Sequence, residues 1–288
     1  MSKELVSLGD KKRKQLFDLY SQNLIVVKEH PRIKLEPDHD DVCVCPICMN
    51  FFPREALVIS EDYDDYLTLE DVPPIALGGK VRTLTCKKCN NTGGSQLESH
   101  LANKLNFDEA MQGLQNTSID GVFHPTKDTN LAATINVQGN SGIYIQYHPE
   151  RSDPLHVSQF QTMVSSKDIG QFSLSLLGNY KKNRPEVALL RIAYLLAYST
   201  FGFGFLVNFN LQVIRNQIQS PHEKILEHWG ISTMDYRDEL LGINIIKEPK
   251  ELQSFLIVFE LKTNNRTTRH GVLLPGPTEP GLSIYKWL

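Results

Sequence analysis

The sequence predicts an α+β fold: a small cysteine-bearing module of two strands and a helix, followed by a larger α+β domain. Three observations carry this reading. Four of the five cysteines form two Cys-x-x-Cys pairs, Cys45/Cys48 and Cys86/Cys89, with thirty-seven residues between them. Those intervening residues alternate in character on either side of a Pro- and Gly-rich turn. Beyond Gln112, alternating stretches and helical apolar periods follow one another with no internal repeat and no low-complexity tract.

The elements follow in order. Asp10 to Leu24 reads as an amphipathic helix with Leu16, Leu19, Tyr20 and Leu24 on one side. Its Lys11-Lys12-Arg13-Lys14 run reads as a solvated face, with contact to a nucleic-acid backbone as the alternative. His30 to Asp41, carrying Pro31 and Pro37, reads as a linker into the first cysteine turn.

Two thiolates on each of two tight turns make the tetrahedral four-sulfur shell that structural zinc prefers. Cys45, Cys48, Cys86 and Cys89 are therefore the expected zinc ligands. Two such pairs seldom arise by chance among so few cysteines. Cys43 is an alternative to Cys45, but the two-residue spacer favours Cys45/Cys48. Pro46 stiffens the first turn, and Lys87 and Lys88 bring positive charge to the second, against the formal charge of minus two on a tetrathiolate zinc.

Between the pairs, the acidic run from Glu61 to Asp65 reads as a loop without the spacing of a calcium-binding loop. Tyr66-Leu67-Thr68-Leu69 reads as a short strand running into Glu70-Asp71. Pro73 and Pro74 end it, Gly78-Gly79 turn the chain, and Val81 to Thr85 returns as a second strand. Ser95 is the expected N-cap of a helix from Gln96 to Leu105, with Leu97, Leu101 and Leu105 on one face.

These residues resemble the HNH endonuclease family, whose ββα-metal fold often carries two such zinc knuckles. Members typically read Asp-His, two residues, Pro, then a Gly-Gly turn, and later Cys-x-x-Cys-Asn. Here the matching run is Glu70-Asp71, Val72-Pro73, Pro74, Gly78-Gly79, Cys86-x-x-Cys89 and Asn90. The likeness covers residues 43 to 105, a little over a fifth of the chain. It implies that Glu70 and Asn90 hold a catalytic divalent cation, Mg2+ or Mn2+, through oxygen ligands. It also places Asp71 where the family's general-base histidine stands. A carboxylate with an ordinary pKa of about 4 is a weak base unless its site raises that value.

Two further departures are Val81 and Arg82 at the family's middle asparagine, and Gly93 at its lysine. Read without the resemblance, Glu70-Asp71 is a solvated acidic turn. His100 is the nearest histidine downstream, and an exposed helix residue is its plain reading. Lys80, Arg82, Lys87, Lys88 and Lys104 read equally as phosphate contacts or as a solvated basic face.

The second half begins with a hairpin, Ala132 to Gln138 and Gly142 to His148 around Gly139-Asn140-Ser141, and continues with a strand from Phe172 to Leu177. Pro185 opens a helix through Phe201, Gly202-Phe203-Gly204 breaks it, and another helix spans Leu211 to Gln219. Ser254 to Leu261 and Gly271 to Leu274 read as late strands. The expected organisation is thus 1–40 (helix and linker), 41–112 (zinc-bound HNH-like module) and 120–288 (α+β domain). The last domain shows no catalytic constellation, and target recognition, a protein partner or self-association are the roles open to it.

At 41% hydrophobic and 22% charged residues, the 288-residue chain has the composition of a soluble protein, and its net charge of −3 supplies no overall field toward nucleic acid. No apolar run reaches the roughly 18 residues of a membrane span, and no secretory leader is apparent. Cysteines kept reduced by zinc suit a cytoplasm. The expectation is a metal-dependent endonuclease acting on DNA ahead of RNA, and the resemblance suggests bacterial defence against foreign DNA. The alternative is a catalytically inactive zinc module that binds nucleic acid or a protein.

Overall fold

The computed structural model describes residues 3–31, 33–34, 40–58, 65–167 and 170–277, and the chain is mixed α+β. It divides into two compact units. One takes the residues up to Ser99, Lys182–Lys262 and those from Thr267 onward; the other takes His100–Lys181 with Thr263–Arg266. This partition differs from the segmentation expected above, because residues 182–262 group with the cysteine module. The physical reason lies in polar contacts around the first cysteine turn, described below.

In the first unit, α1 (Lys3–Lys28) extends the expected N-terminal helix at both ends. Leu16, Phe17, Tyr20 and Leu24 are buried, whereas Leu19, expected on the same side, is 48% exposed. A hairpin of two three-residue strands, β1 (Val42–Val44) and β2 (Phe51–Pro53), carries the first cysteine pair on its turn. Strands β3 (Leu67–Asp71) and β4 (Val81–Cys86) pair antiparallel, with Glu70 opposite Thr83 and a bulge after Glu70. Their turn is tight: Val72 N–H donates to Lys80 O, Gly79 N–H donates to Pro74 O, and Gly78 sits at φ 83°.

The helix after β4 begins earlier than expected. Cys86 precedes α2 (Lys87–Gly93), which runs through a π-helical turn at Gly94–Glu98 into α3 (Ser99–Met111). Ser95 is therefore not an N-cap; it lies inside the helix, and its hydroxyl donates to Asn91 O. Leu97, Leu101 and Leu105 are buried, as their spacing requires.

Helix α5 (Arg184–Phe201) has its proline in the first turn and ends at Gly202, φ 60°. It is followed by α6 (Phe203–Leu206) and α7 (Gln212–Gln219). The unit closes with an antiparallel sheet in the order β10 (Gly242–Ile246), β11 (Ser254–Lys262), β12 (Thr267–Pro275), β9 (Ile231–Thr233).

The second unit is a four-stranded antiparallel sheet in the order β7 (Ile143–Tyr147), β6 (Thr129–Val137), β5 (Thr117–Thr126), β8 (Ser173–Leu176). Helix α4 (Pro154–Ser166) and the end of α3 cover its apolar face. Ile119, Phe123, Leu131, Ala133, Ile135, Val137, Ala110 and Val157 form its core.

Candidate metal centre

The two cysteine turns meet in the first unit. The Sγ atoms of Cys45, Cys48, Cys86 and Cys89 all lie within 4.8 Å of one another, and Cys48 Sγ is 3.9 Å from Cys86 Sγ. A tetrahedral zinc with Zn–S of about 2.3 Å separates its sulfurs by about 3.8 Å. A disulfide would bring two of them to about 2 Å. The four sulfurs thus fit a zinc-sized ion.

Cys43 lies outside this group: it is buried, and burial pushes its thiol well above the usual range. Cys86 N–H points at Cys45 Sγ at 3.5 Å, the kind of contact that favours a thiolate.

Residues distant in sequence hold the first turn in place. Tyr194 Oη donates to Pro46 O at 2.7 Å, and Gln219 Nε2 donates to Ile47 O at 2.9 Å. Helices α5 and α7 therefore satisfy carbonyls of the tight turn that its own backbone leaves open. The second turn is supported from Asp65, whose carboxylate accepts from the backbone N–H of Tyr66 and of Lys88 at the start of α2. The other residues of that acidic run, 61–64, lie outside the described residues. Lys87 does not simply face the sulfurs, since its ammonium sits 5.0 Å from the centre of the Tyr66 ring.

Beside the sulfurs lies the acidic strand end. Glu70 is only 2% exposed. Its Oε2 accepts from Thr85 Oγ1 at 2.5 Å, and its Oε1 lies 2.8 Å from Arg191 Nη2, an ion pair outside hydrogen-bond alignment. Arg191 Nη1 donates to Glu98 Oε1 at 2.6 Å. A fully buried guanidinium thus links β3 to the π-helical turn, and Cys89 lies close enough to act on it electrostatically. The glycine at position 93 belongs to this arrangement, because a Cβ there would lie 2.4 Å from Arg191 Cζ.

Asn90 reaches the same strand end: its Nδ2 donates to Leu69 O at 3.0 Å and to Thr68 Oγ1 at 2.9 Å. Asn90 is therefore anchored on the strand that carries Glu70, through the two residues that precede it. Asp71 follows the bulge, half-buried, and burial raises its carboxyl above the ordinary carboxylate range. Burial does the same to Glu98, against the pull of Arg191. Two carboxylates, Glu70 and Glu98, thus meet one guanidinium, a formal surplus of one negative charge, and Asp71 lies near enough to act on Glu98.

Among the other predicted residues, Arg82 and Lys80 are exposed on and beside β4. Lys104 and His100 belong to the second unit. Lys104 pairs with Asp108 at 2.6 Å, and His100 Nδ1 accepts from Lys181 N–H at 3.3 Å.

Arg191, Glu98 and Asp65 are the residues that sequence reasoning missed. The one available signal was a lone arginine within the most apolar stretch of the chain, Val187 to Asn208.

No protein-family model, curated protein or solved structure matches this chain. Among the described residues, no helix is long and apolar enough to cross a membrane.

Proposed function

We propose that the chain is an HNH-like, metal-dependent endonuclease that hydrolyses phosphodiester bonds in DNA on a zinc-organised scaffold. The observation supporting this reading is the anchoring of Asn90 on Leu69 O, beside the strand end that carries Glu70 and Asp71. The connectivity around it is strand, tight turn, strand, helix, with four thiolates gathering both cysteine turns. Glu70 and Asn90 Oδ1 would hold Mg2+ or Mn2+. Thr85 and Arg191 engage one side of each Glu70 oxygen, and an ionised carboxylate has about four acceptor positions. When bound, such a cation supplies charge stabilisation at the scissile phosphate. Asp71, the more accessible carboxylate, accepts the proton of the attacking water.

A second reading is favoured by one observation. Arg191 already places a cation on Glu70, and a guanidinium in that position repels a divalent ion. In that case the module binds nucleic acid without cutting it.

Nicking of supercoiled plasmid by zinc-loaded protein, with magnesium, with manganese or with neither, separates the two. The nuclease reading expects metal-dependent nicking, reduced by 10²-fold or more in Asp71→Ala and abolished in Glu70→Ala and Asn90→Ala, with zinc content unchanged. Asp71→His should retain or raise the rate. Wild-type protein that is folded and zinc-loaded yet never nicks would favour the second reading.

A further inference from the structure

We infer that a groove beside the β3–β4 turn is a docking track for the phosphate backbone of duplex DNA, with Lys262 of the C-terminal sheet as one of its contacts. The inference rests on the nucleic-acid part of the reading above and not on hydrolysis.

The groove has a volume of about 390 Å3. Its walls come from the turn, with Pro73, Gly78, Gly79, Lys80 and Arg82, and from β11, with Phe259 to Lys262. Lys80, Arg82 and Lys262 are all exposed, and none enters an ion pair among the described residues. Residues some 180 positions apart in sequence thus converge as three unneutralised cations on one groove. The groove's acidic residue, Glu260, pairs with Arg269, whose Nη2 lies 3.1 Å from its Oε1 and which also pairs with Asp238.

The glycine pair acquires a role in this setting. A Cβ on Gly78 would lie 2.9 Å from Lys262 Cβ and 3.0 Å from its Cγ, so the stem of Lys262 lies flat across the turn. Ordering an aliphatic stem in this way lowers the entropy lost when its ammonium meets a phosphate. Gly79 has no room for any side chain, because a Cβ would meet Pro73 O at 1.5 Å.

The chemistry selects the ligand. Lys80 and Arg82 on one wall and Lys262 on the other suit phosphate oxygens, which position a duplex without reading its sequence. Phe259 is the aromatic side chain in the lining, and it is buried, so the groove offers no stacking platform for single-stranded bases. Of the other candidate cations, Lys87 lies on the Tyr66 ring and Lys104 pairs with Asp108, while the exposed Lys88 lies beside the cysteines and outside this groove.

The test is fluorescence anisotropy of a labelled DNA duplex with full-length, zinc-loaded protein across a salt series, with no magnesium or manganese added. Lys262→Ala and Arg82→Ala should each weaken binding several-fold. Each should also reduce the slope of log affinity against log salt by about one, the signature of a lost phosphate contact. Lys87→Ala should leave the slope unchanged. Zinc content and circular dichroism establish that each variant is folded. Unchanged slopes in both groove variants, or no duplex binding by the wild type, would overturn the inference. Tighter binding of a single-stranded oligonucleotide than of the duplex would overturn it as well. A protein that binds through these residues yet never nicks plasmid supports the groove while removing the nuclease reading.

Discussion

Arg191 is the residue on which the acidic site depends. Its guanidinium is buried among groups that would otherwise be uncompensated, since Glu70 is 2% exposed and Glu98 lies in the helix opposite. A buried charge that loses its partner is costly, by about 3–5 kcal/mol in comparable cases. Arg191→Met should therefore destabilise the first unit by that order, measured by urea denaturation of zinc-loaded protein. Arg191→Lys should rescue little, because one ammonium cannot replace a planar fork that meets two carboxylates at once. Gly93→Ala attacks the same arrangement from the other side, with its Cβ driven to 2.4 Å from Arg191 Cζ. Overpacking of this kind costs about 1–3 kcal/mol, and its effect should be non-additive with Arg191→Met because both act on one group. Stability within about 0.5 kcal/mol of wild type in Arg191→Met would show that the carboxylates do not depend on this cation.

At the scale of elements, the first cysteine turn sits on a hairpin of three-residue strands, too short to be stable in isolation. Its geometry is borrowed from α5 and α7 through Tyr194 and Gln219. Tyr194→Phe removes the hydrogen bond to Pro46 O and the one accepted from the buried Arg215, and should cost about 1–3 kcal/mol, with faster loss of zinc to a chromogenic chelator as the kinetic readout. An unchanged zinc off-rate would mean that the hairpin holds the turn alone. The same dependence on distant residues explains what the sequence could and could not reveal. Strands β3 and β4, the β6–β7 hairpin and helix α5 were legible, because alternation, turn residues and a first-turn proline are local signals. The start of α2 was not, since Cys86 supplies no side-chain cap and the supporting carboxylate, Asp65, comes from before β3. Strand β5 was obscured by Gly121 and by Pro125, and at Pro125 the ladder with β6 is irregular. Gly121 is required there, as a Cβ would meet Ser175 O at 2.6 Å. The partnership of Arg191 with Glu70 and Glu98 could not be read at all, because it joins three elements widely separated along the chain.

At the scale of the whole molecule, both units bury apolar residues, but the four-sulfur site belongs to the first alone. The second has its own apolar core, from Ile119 on β5 to Val157 on α4, with no cysteine in it. The first carries the four-sulfur site, and structural zinc binding of about 10–16 kcal/mol matches or exceeds the 5–15 kcal/mol that is a typical total stability. Loss of the metal should therefore unfold the first unit selectively. Cys45→Ser, Cys89→Ser and exhaustive chelation should each abolish zinc binding. Hydrogen exchange should then be fast at the amides of β1 to β4 and α2, where the wild type is protected. The β5–β6–β7–β8 sheet should keep most of its protection, because its ladders and core involve none of the cysteine-bearing elements. Protection retained at β1 to β4 after complete zinc removal would mean that the metal adds little to folding. Simultaneous loss across β5 to β8 would mean that the chain unfolds as one cooperative block. Selective loss would make metal occupancy the quantity to establish before interpreting any cleavage or binding assay, since an apo preparation would lack the acidic strand end and the groove together.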